Sequence, residues 1–180
     1  MKKRLVAIFI SLFILFPIFA EENLDEVISL SAGGTIGVFV EEEIEVGPGY
    51  GFGIKLGLGD YITGYYDMIF YEPSLEGLTL PDGLSLITSD QIITGALTLP
   101  LSSNGSNELK IGGGYTLINE KITGEYLGEK ETLLEIDAEG YCFLVEISSE
   151  SVTTCAKYII PTESDNANGL LVVSALINLL

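Results

Sequence analysis

From Val27 to Leu180 this chain alternates between two kinds of side chain, one residue after the next, and no other feature constrains its fold as tightly. A period of two belongs to strands that show different faces to different surroundings. The first run sets Ile28, Leu30, Ala32, Ile36 and Val38 against Ser29, Ser31, Gly33, Thr35 and Gly37. In the second, Tyr50, Phe52, Ile54, Leu56 and Leu58 interleave with Gly49, Gly51, Gly53, Lys55 and Gly57. Gly59-Asp60 then supplies turn chemistry, and a third run places Ile62, Tyr66, Met68 and Phe70 opposite Thr63, Tyr65 and Asp67.

Five further runs follow. Ile93, Gly95, Leu97, Leu99 and Leu101 form the apolar side of a fourth, over about 87–101, and Leu109, Ile111, Gly113, Tyr115 and Leu117 that of a fifth. The sixth is read with Leu134, Ile136, Ala138, Gly140, Cys142 and Leu144 on the apolar side, and Glu135, Asp137, Glu139, Tyr141 and Phe143 opposite. The seventh opposes Val152, Thr154, Ala156, Tyr158 and Ile160 to Thr153, Cys155, Lys157 and Ile159. The last has Leu171, Val173, Ala175, Ile177 and Leu179 on one side, and Val172, Ser174, Leu176 and Asn178 on the other. Predicted connections after the first, third, fifth and seventh runs are long and polar, including 72–85, 119–131 and 161–169. Those after the second, fourth and sixth are short. Such asymmetry is that of an all-β, eight-stranded antiparallel up-and-down barrel with both termini at the short-turn end.

The direction of the greasy face decides the surroundings. A soluble, lipocalin-like binding barrel turns it inward and covers its exterior with charge, on the order of 25–35%. Here the second face is mainly Gly, Ser and Thr, and the acids cluster in connections such as Glu41, Glu42, Glu43 and Glu45. Aromatics on the apolar face, among them Tyr50, Phe52, Phe70, Tyr115 and Tyr158, stand near run ends like an interfacial girdle. The preferred reading is therefore a transmembrane β-barrel, with the soluble periplasmic barrel as the alternative.

The first twenty residues fit export. Lys2, Lys3 and Arg4 precede an apolar stretch from Leu5 to Phe19, and Ala20 is a small residue at the expected cut. Domain boundaries are accordingly expected at 1–20 for a cleaved signal peptide and 21–180 for the barrel. Loss of the leader takes the net charge from −18 to −21 and leaves Lys55, Lys110, Lys121, Lys130 and Lys157 as the basic residues. Such a chain does not bind nucleic acid through its phosphates. The expected partners are outer-membrane lipid and the outer-membrane assembly machinery, with no motif that names an extracellular ligand.

The pattern resembles the small eight-stranded outer-membrane barrels of the OmpX, OmpW and OmpA transmembrane-domain families. Strand number, loop asymmetry and face alternation carry the resemblance over nearly all of 21–180, and no diagnostic motif adds to it. It implies a bacterial outer-membrane location. The chain departs from that group in ending Asn178-Leu179-Leu180, where an aromatic residue is usual.

Catalysis finds little support. There is no histidine, which removes Ser-His, Asp-His and Cys-His arrangements together. No His/Cys cluster has metal-ligand spacing, so no catalytic residue, cofactor or metal is expected. The glycines of 47–53 and 112–114 fall at strand positions without a following helix, unlike a nucleotide-binding loop. Glu41 to Glu45 read as solvated acids with at most a loose hold on Ca²⁺, and Asn104-Gly105-Ser106 matches a glycosylation sequon in a turn. The residues singled out form a structural polar network in the lumen: Lys55, Asp67, Lys110, Glu135, Asp137, Glu139 and Lys157. Lys55 is expected to pair with Asp67, and Lys110 and Lys157 with the sixth-run carboxylates. Cys142 and Cys155 are assigned to opposite faces and hence to two free thiols. The function implied is a structural or surface-interaction barrel acting through long acidic loops, with a narrow conduit as the second reading.

Overall fold

The computed structural model describes residues 28–40, 48–71, 84–104, 107–126, 128–162 and 169–180. The leader, Glu41 to Glu45 and most of the Asn104-Gly105-Ser106 turn lie outside the described residues. Eight strands follow in order: β1 (Ile28–Val40), β2 (Gly49–Leu58), β3 (Ile62–Tyr71), β4 (Leu84–Asn104), β5 (Asn107–Tyr126), β6 (Glu129–Ser148), β7 (Val152–Pro161) and β8 (Gly169–Asn178). Each pairs antiparallel with the next, and β8 returns to β1 to close a barrel. Closure removes the sheet edges that an open eight-stranded sheet would leave unpaired.

Pairing keeps the two faces in phase around the ring. Lys55 stands opposite Tyr65, and Gly53 opposite Asp67. Between β1 and β8, Thr35 faces Ser174. Gly59, at φ 60°, lets the chain reverse between β2 and β3. In β4 the register slips between Pro100 and Ser102, a bulge at the short-turn end beside a proline that cannot donate to the ladder.

The small and polar face points inward. Thr35, Lys55, Thr63, Asp67, Thr94, Thr116, Lys157 and Ser174 are buried. Tyr50, Phe52, Ile93, Leu97, Leu99, Tyr141, Phe143, Val145 and Ile177 are exposed. Lys157 is 0% accessible whereas Leu97 is 68% accessible, the reverse of a protein folded for water. The lipocalin-like alternative needs the opposite placement and is overturned.

Two expectations need correction. The face assignment of β6 is inverted: Gly140, Cys142, Leu144 and Glu146 are buried, while Tyr141, Phe143, Val145 and Ile147 are exposed. The polar loop expected over 119–131 is instead continuous hairpin, with Tyr126 facing Glu129. β4, β5 and β6 have 21, 20 and 20 residues against 10–13 in the others. β7 reaches only Gly140 of β6, so the hairpin arm beyond that point projects from the barrel rim. At about 3.3 Å per residue the β6 arm over 129–139 is roughly 35 Å long.

Candidate functional site

Closing eight strands leaves an interior just wide enough for side chains, and ion pairs occupy its middle. Lys55 Nζ reaches across to Glu146 Oε1 at 2.6 Å. Glu146 also accepts from the Tyr65 hydroxyl at 2.5 Å and from Ser148 Oγ at 3.0 Å. Lys157 pairs with Asp67, whose Oδ1 accepts from Thr35 at 3.2 Å and Ser174 at 3.1 Å. Tyr65 links the two clusters, because Lys157 Nζ lies 4.4 Å from its ring centroid. Every carboxylate in this layer has a cation and at least one hydroxyl, the condition under which buried charge is tolerated.

On the long-connection side of these pairs the lumen turns apolar, with Ile69, Ile92, Ile159, Leu170 and Val172 packed together. Tyr71 lies across Gly49, where a Cβ would occupy its ring, and packs against Phe39 in a tilted arrangement with centroids 5.0 Å apart. At the short-turn end the lumen opens into a polar vestibule of about 470 Å³, lined among others by Ser31, Lys55, Asp60, Lys110, Thr153 and Asn178. Lys110 is held there by Glu108 at 3.0 Å and Asp60 at 3.5 Å. Asn178 accepts from Ser31 and Thr153, each at 2.8 Å.

Outside, the apolar belt has a defined upper limit. Tyr115 and Tyr141 face each other in register and meet edge-on at 5.9 Å, and the Tyr115 hydroxyl donates to Glu139. Beyond them the same outward face becomes polar. Asn119 donates to Glu135 at 3.0 Å and to Asp137 at 2.9 Å, and Lys121 sits 3.3 Å from Glu135. The Asn119 amide and the neighbouring Lys121 hold the Glu135 carboxyl below its ordinary value. An amphipathic tyrosine pair followed by a charged ladder marks where the apolar exterior of the strands gives way to a polar one.

The predicted network thus divides. Lys55, Asp67 and Lys157 meet in the lumen and Lys110 at its short-turn mouth, whereas Glu135, Asp137 and Glu139 lie on the outward face of the projecting hairpin. Lys55 does not pair with Asp67, nor Lys110 and Lys157 with the three β6 carboxylates. Asp67 stands two positions along from the partner of Lys55; Lys55 and Lys157 find their acids across the lumen, and Lys110 takes Glu108 on its own strand and Asp60 in the β2–β3 turn. Glu146, the acid that does partner Lys55, was missed by sequence reasoning. Its signal was the bulky set Tyr141, Phe143, Val145 and Ile147, which marks the neighbouring positions as outward. Both cysteines are free but share the lumen; Cys142 faces Ile159 and Cys155 faces Glu146, so separation along the strands keeps them apart. Among the described residues no group of three His, Cys, Asp or Glu side chains forms a metal cluster.

Comparison with solved structures gives the same architecture. Neisserial surface protein A (NspA) superposes with a TM-score of 0.50 at 12% identity, over 84% of this chain and 95% of that one. Ail, the attachment invasion locus protein of Yersinia pestis, in complex with the heparin analogue sucrose octasulfate, gives 0.47 at 12% identity, over 84% and 97%. A second Ail structure gives 0.46 at 11% identity, over 86% and 99%. These likenesses are of fold. No protein-family model and no curated protein sequence matches the chain.

Proposed function

We infer that the chain is a non-enzymatic barrel of the bacterial outer membrane, exported by residues 1–20 and presenting the β5–β6 hairpin and three acidic connections as a surface for interaction. One observation carries this reading: the protein is inside out, with Lys157, Glu146 and Asp67 sealed within while Leu97, Phe143 and Ile177 face outward. Only hydrocarbon makes that arrangement favourable, and a closed barrel satisfies every backbone group within it. Outer-membrane lipid and the assembly machinery are the partners this reading requires.

The interaction surface follows from topology. The β1–β2, β3–β4, β5–β6 and β7–β8 connections share one end, and they carry Glu41, Glu42, Glu43, Glu45, Glu72, Glu76 and Asp82 in the first two alone. With Glu129, Glu131 and Asp137 on the hairpin, that end favours a cationic or neutral protein partner over a polyanion. The conduit reading is weaker, because the ion-pair layer and the apolar layer fill the lumen in series.

Three measurements test the proposal together. The purified chain should migrate faster unboiled than boiled on a gel. Glu131→Cys should react with a membrane-impermeant maleimide on intact cells while Glu108→Cys does not. Planar bilayers should show no conductance steps. A chain that remains monomeric in water without detergent, or labelling at Glu108→Cys alone, overturns it.

A further inference from the structure

At the long-connection end of the lumen two carboxylates stand together with no cation. Asp90 on β4 faces Glu120 on β5 in register, and both point inward. Asp90 is 1% accessible, and among the described residues its Oδ1 has no hydrogen-bond partner. The Tyr71 hydroxyl, from β3, is a donor directed at Asp90 and within reach of the Glu120 charge, but among the described residues it is buried short of ordinary hydrogen-bond geometry with either. Three polar groups on three successive strands therefore converge on one spot. The outward neighbours Gln91 and Asn119, themselves in register, place that spot just beyond the apolar belt.

No side chain of residues 21–180 can neutralise this pair. All five lysines of that span are engaged elsewhere: Lys55 with Glu146, Lys110 with Glu108 and Asp60, Lys121 with Glu135, Lys130 with Glu125, and Lys157 with Asp67. The span contains no arginine and no histidine. The contrast with Asp67 and Glu146 is direct, since each of those buried acids has its own ammonium and hydroxyls. An acid pair in a narrow lumen calls for positive charge from solvent.

The geometry points to a cation-binding site at the outer mouth of the lumen, in which Asp90 and Glu120 ligate a hard divalent ion such as Ca²⁺ or Mg²⁺ beside the Tyr71 hydroxyl. Hard cations take oxygen ligands, and Mg²⁺ in particular is held by one or two carboxylates while keeping several waters. The half-buried Glu120 leaves the approach open from the mouth. A bound ion supplies the unpartnered Asp90 oxygen with charge, and its waters donate to Glu120 or accept from the phenol. It also crosslinks β4 to β5 where the hairpin leaves the barrel. The site needs the lumen and not the membrane, so its failure and that of the outer-membrane reading are distinguishable.

Tyrosine next to the site provides the readout. Tb³⁺, an oxygen-seeking stand-in for Ca²⁺, is titrated into the folded full-length barrel in neutral detergent while tyrosine is excited. Ca²⁺ and Mg²⁺ are then added as competitors. One saturable phase of sensitised emission is expected, displaced by Ca²⁺. Asp90→Asn and Glu120→Gln should weaken it about tenfold or more. Tyr71→Phe should dim the emission while leaving Ca²⁺-dependent thermal stabilisation in place. Glu135→Gln, on the outer face, should change nothing. Heat-modifiable migration reports whether each variant folds, and Glu120→Gln, at the less buried ligand, keeps the test open if Asp90→Asn does not fold. Emission unaltered by both ligand variants places the ion in the acidic connections and overturns the site. Absence of any saturable phase or Ca²⁺-dependent stabilisation overturns it too, and leaves the carboxyl pair sharing a proton.

Discussion

The barrel wall and the projecting hairpin are built from the same strands, yet they obey different rules. Along β6, Gly140 to Ile147 alternates strictly between buried and exposed, whereas every residue from Glu129 to Asp137 is exposed. Alternation of burial is therefore imposed by closure of the ring and by what surrounds it. The strand supplies only the two-fold direction of its side chains. Below the Tyr115–Tyr141 pair a side chain meets either packed lumen or the belt's surroundings; above it, both faces meet water. A residue's chemistry is thus strongly constrained in one half of β6 and weakly in the other.

The largest expected effects lie in the lumen, where this constraint is strictest. Lys157→Met leaves Asp67 buried and unpaired, and it should cost about 3–5 kcal/mol of folding free energy. Urea unfolding of the barrel in lipid measures the loss. The double variant Lys157→Met with Asp67→Leu should recover most of it, because an apolar pair of similar volume carries no stranded charge. A double variant as unstable as the single would show that the hydroxyls of Thr35 and Ser174, and not the ion pair, set the cost. Removing one member of an exposed hairpin pair, Lys130 with Glu125, should shift stability by less than about 1 kcal/mol.

A step smaller is the effect of charge on the outer face. Leu97→Arg and Val145→Arg place a guanidinium in the middle of the apolar belt and should destabilise by about 2–4 kcal/mol in a bilayer. Ile136→Arg, on the same strand as Val145 but in the hairpin, should fall within about 0.5 kcal/mol of the parent. The comparison isolates position from residue type. Ile136 lies on the face that continues the lumen side, so equal losses at 136 and 145 would mean that the inner face of the hairpin is covered rather than open to water.

This contrast also explains what could be read from the sequence. Most of the strands show faces that their residues announce, because lumen and belt demand different side chains, Gly, Ser and Thr against Leu, Ile, Tyr and Phe; β8 is less legible, since it turns Val172 and Leu176 inward as well. On β6 both faces are apolar in places. Leu144 and Cys142 join the lumen's own apolar layer, while Leu134 and Ile136 lie where neither face is buried. Phasing the strand from Leu134 carried a pattern out of the unconstrained half into the constrained one, and Glu135, Asp137 and Glu139 were turned inward as a result. The hairpin was equally hard to foresee, since Gly124, Glu125 and Glu129 have loop-like composition. Cross-strand pairing of Asn119, Lys121 and Glu135 gives that stretch its strand conformation. Partners across the lumen depend on which strands oppose one another after closure, and local spacing does not contain that.

Shortening the hairpin should change the barrel very little. Ile122 faces Leu134, so replacing the stretch between them with a two-residue turn removes paired positions without altering the register below. Stability should stay within about 0.5 kcal/mol of the parent, and migration should remain heat-modifiable, while binding of any surface partner held by the hairpin is lost. A loss of folding would show that the arm nucleates closure of β4, β5 and β6.

The smallest effect belongs to the charged ladder itself. Asn119 and Lys121 lower the folded-state pKa of Glu135 below its unfolded value. The ladder therefore contributes fully above the unfolded value, and its contribution disappears as pH falls through the depressed folded one. Nothing should change between neutral pH and about pH 5, with the loss confined to more acid conditions, since an ordinary Glu titrates near 4.3. Carboxyl NMR of Glu135 should give a midpoint below that of a solvated glutamate, and Asn119→Ala should raise it more than Lys121→Met. High salt should reduce the lysine's share while leaving the amide hydrogen bond largely intact, because only the former is screened. If instead Lys121→Met has the larger effect, charge organises the outer face of the arm more than hydrogen bonding does, and the arm is then a salt-sensitive surface unlike the sealed pairs beneath it.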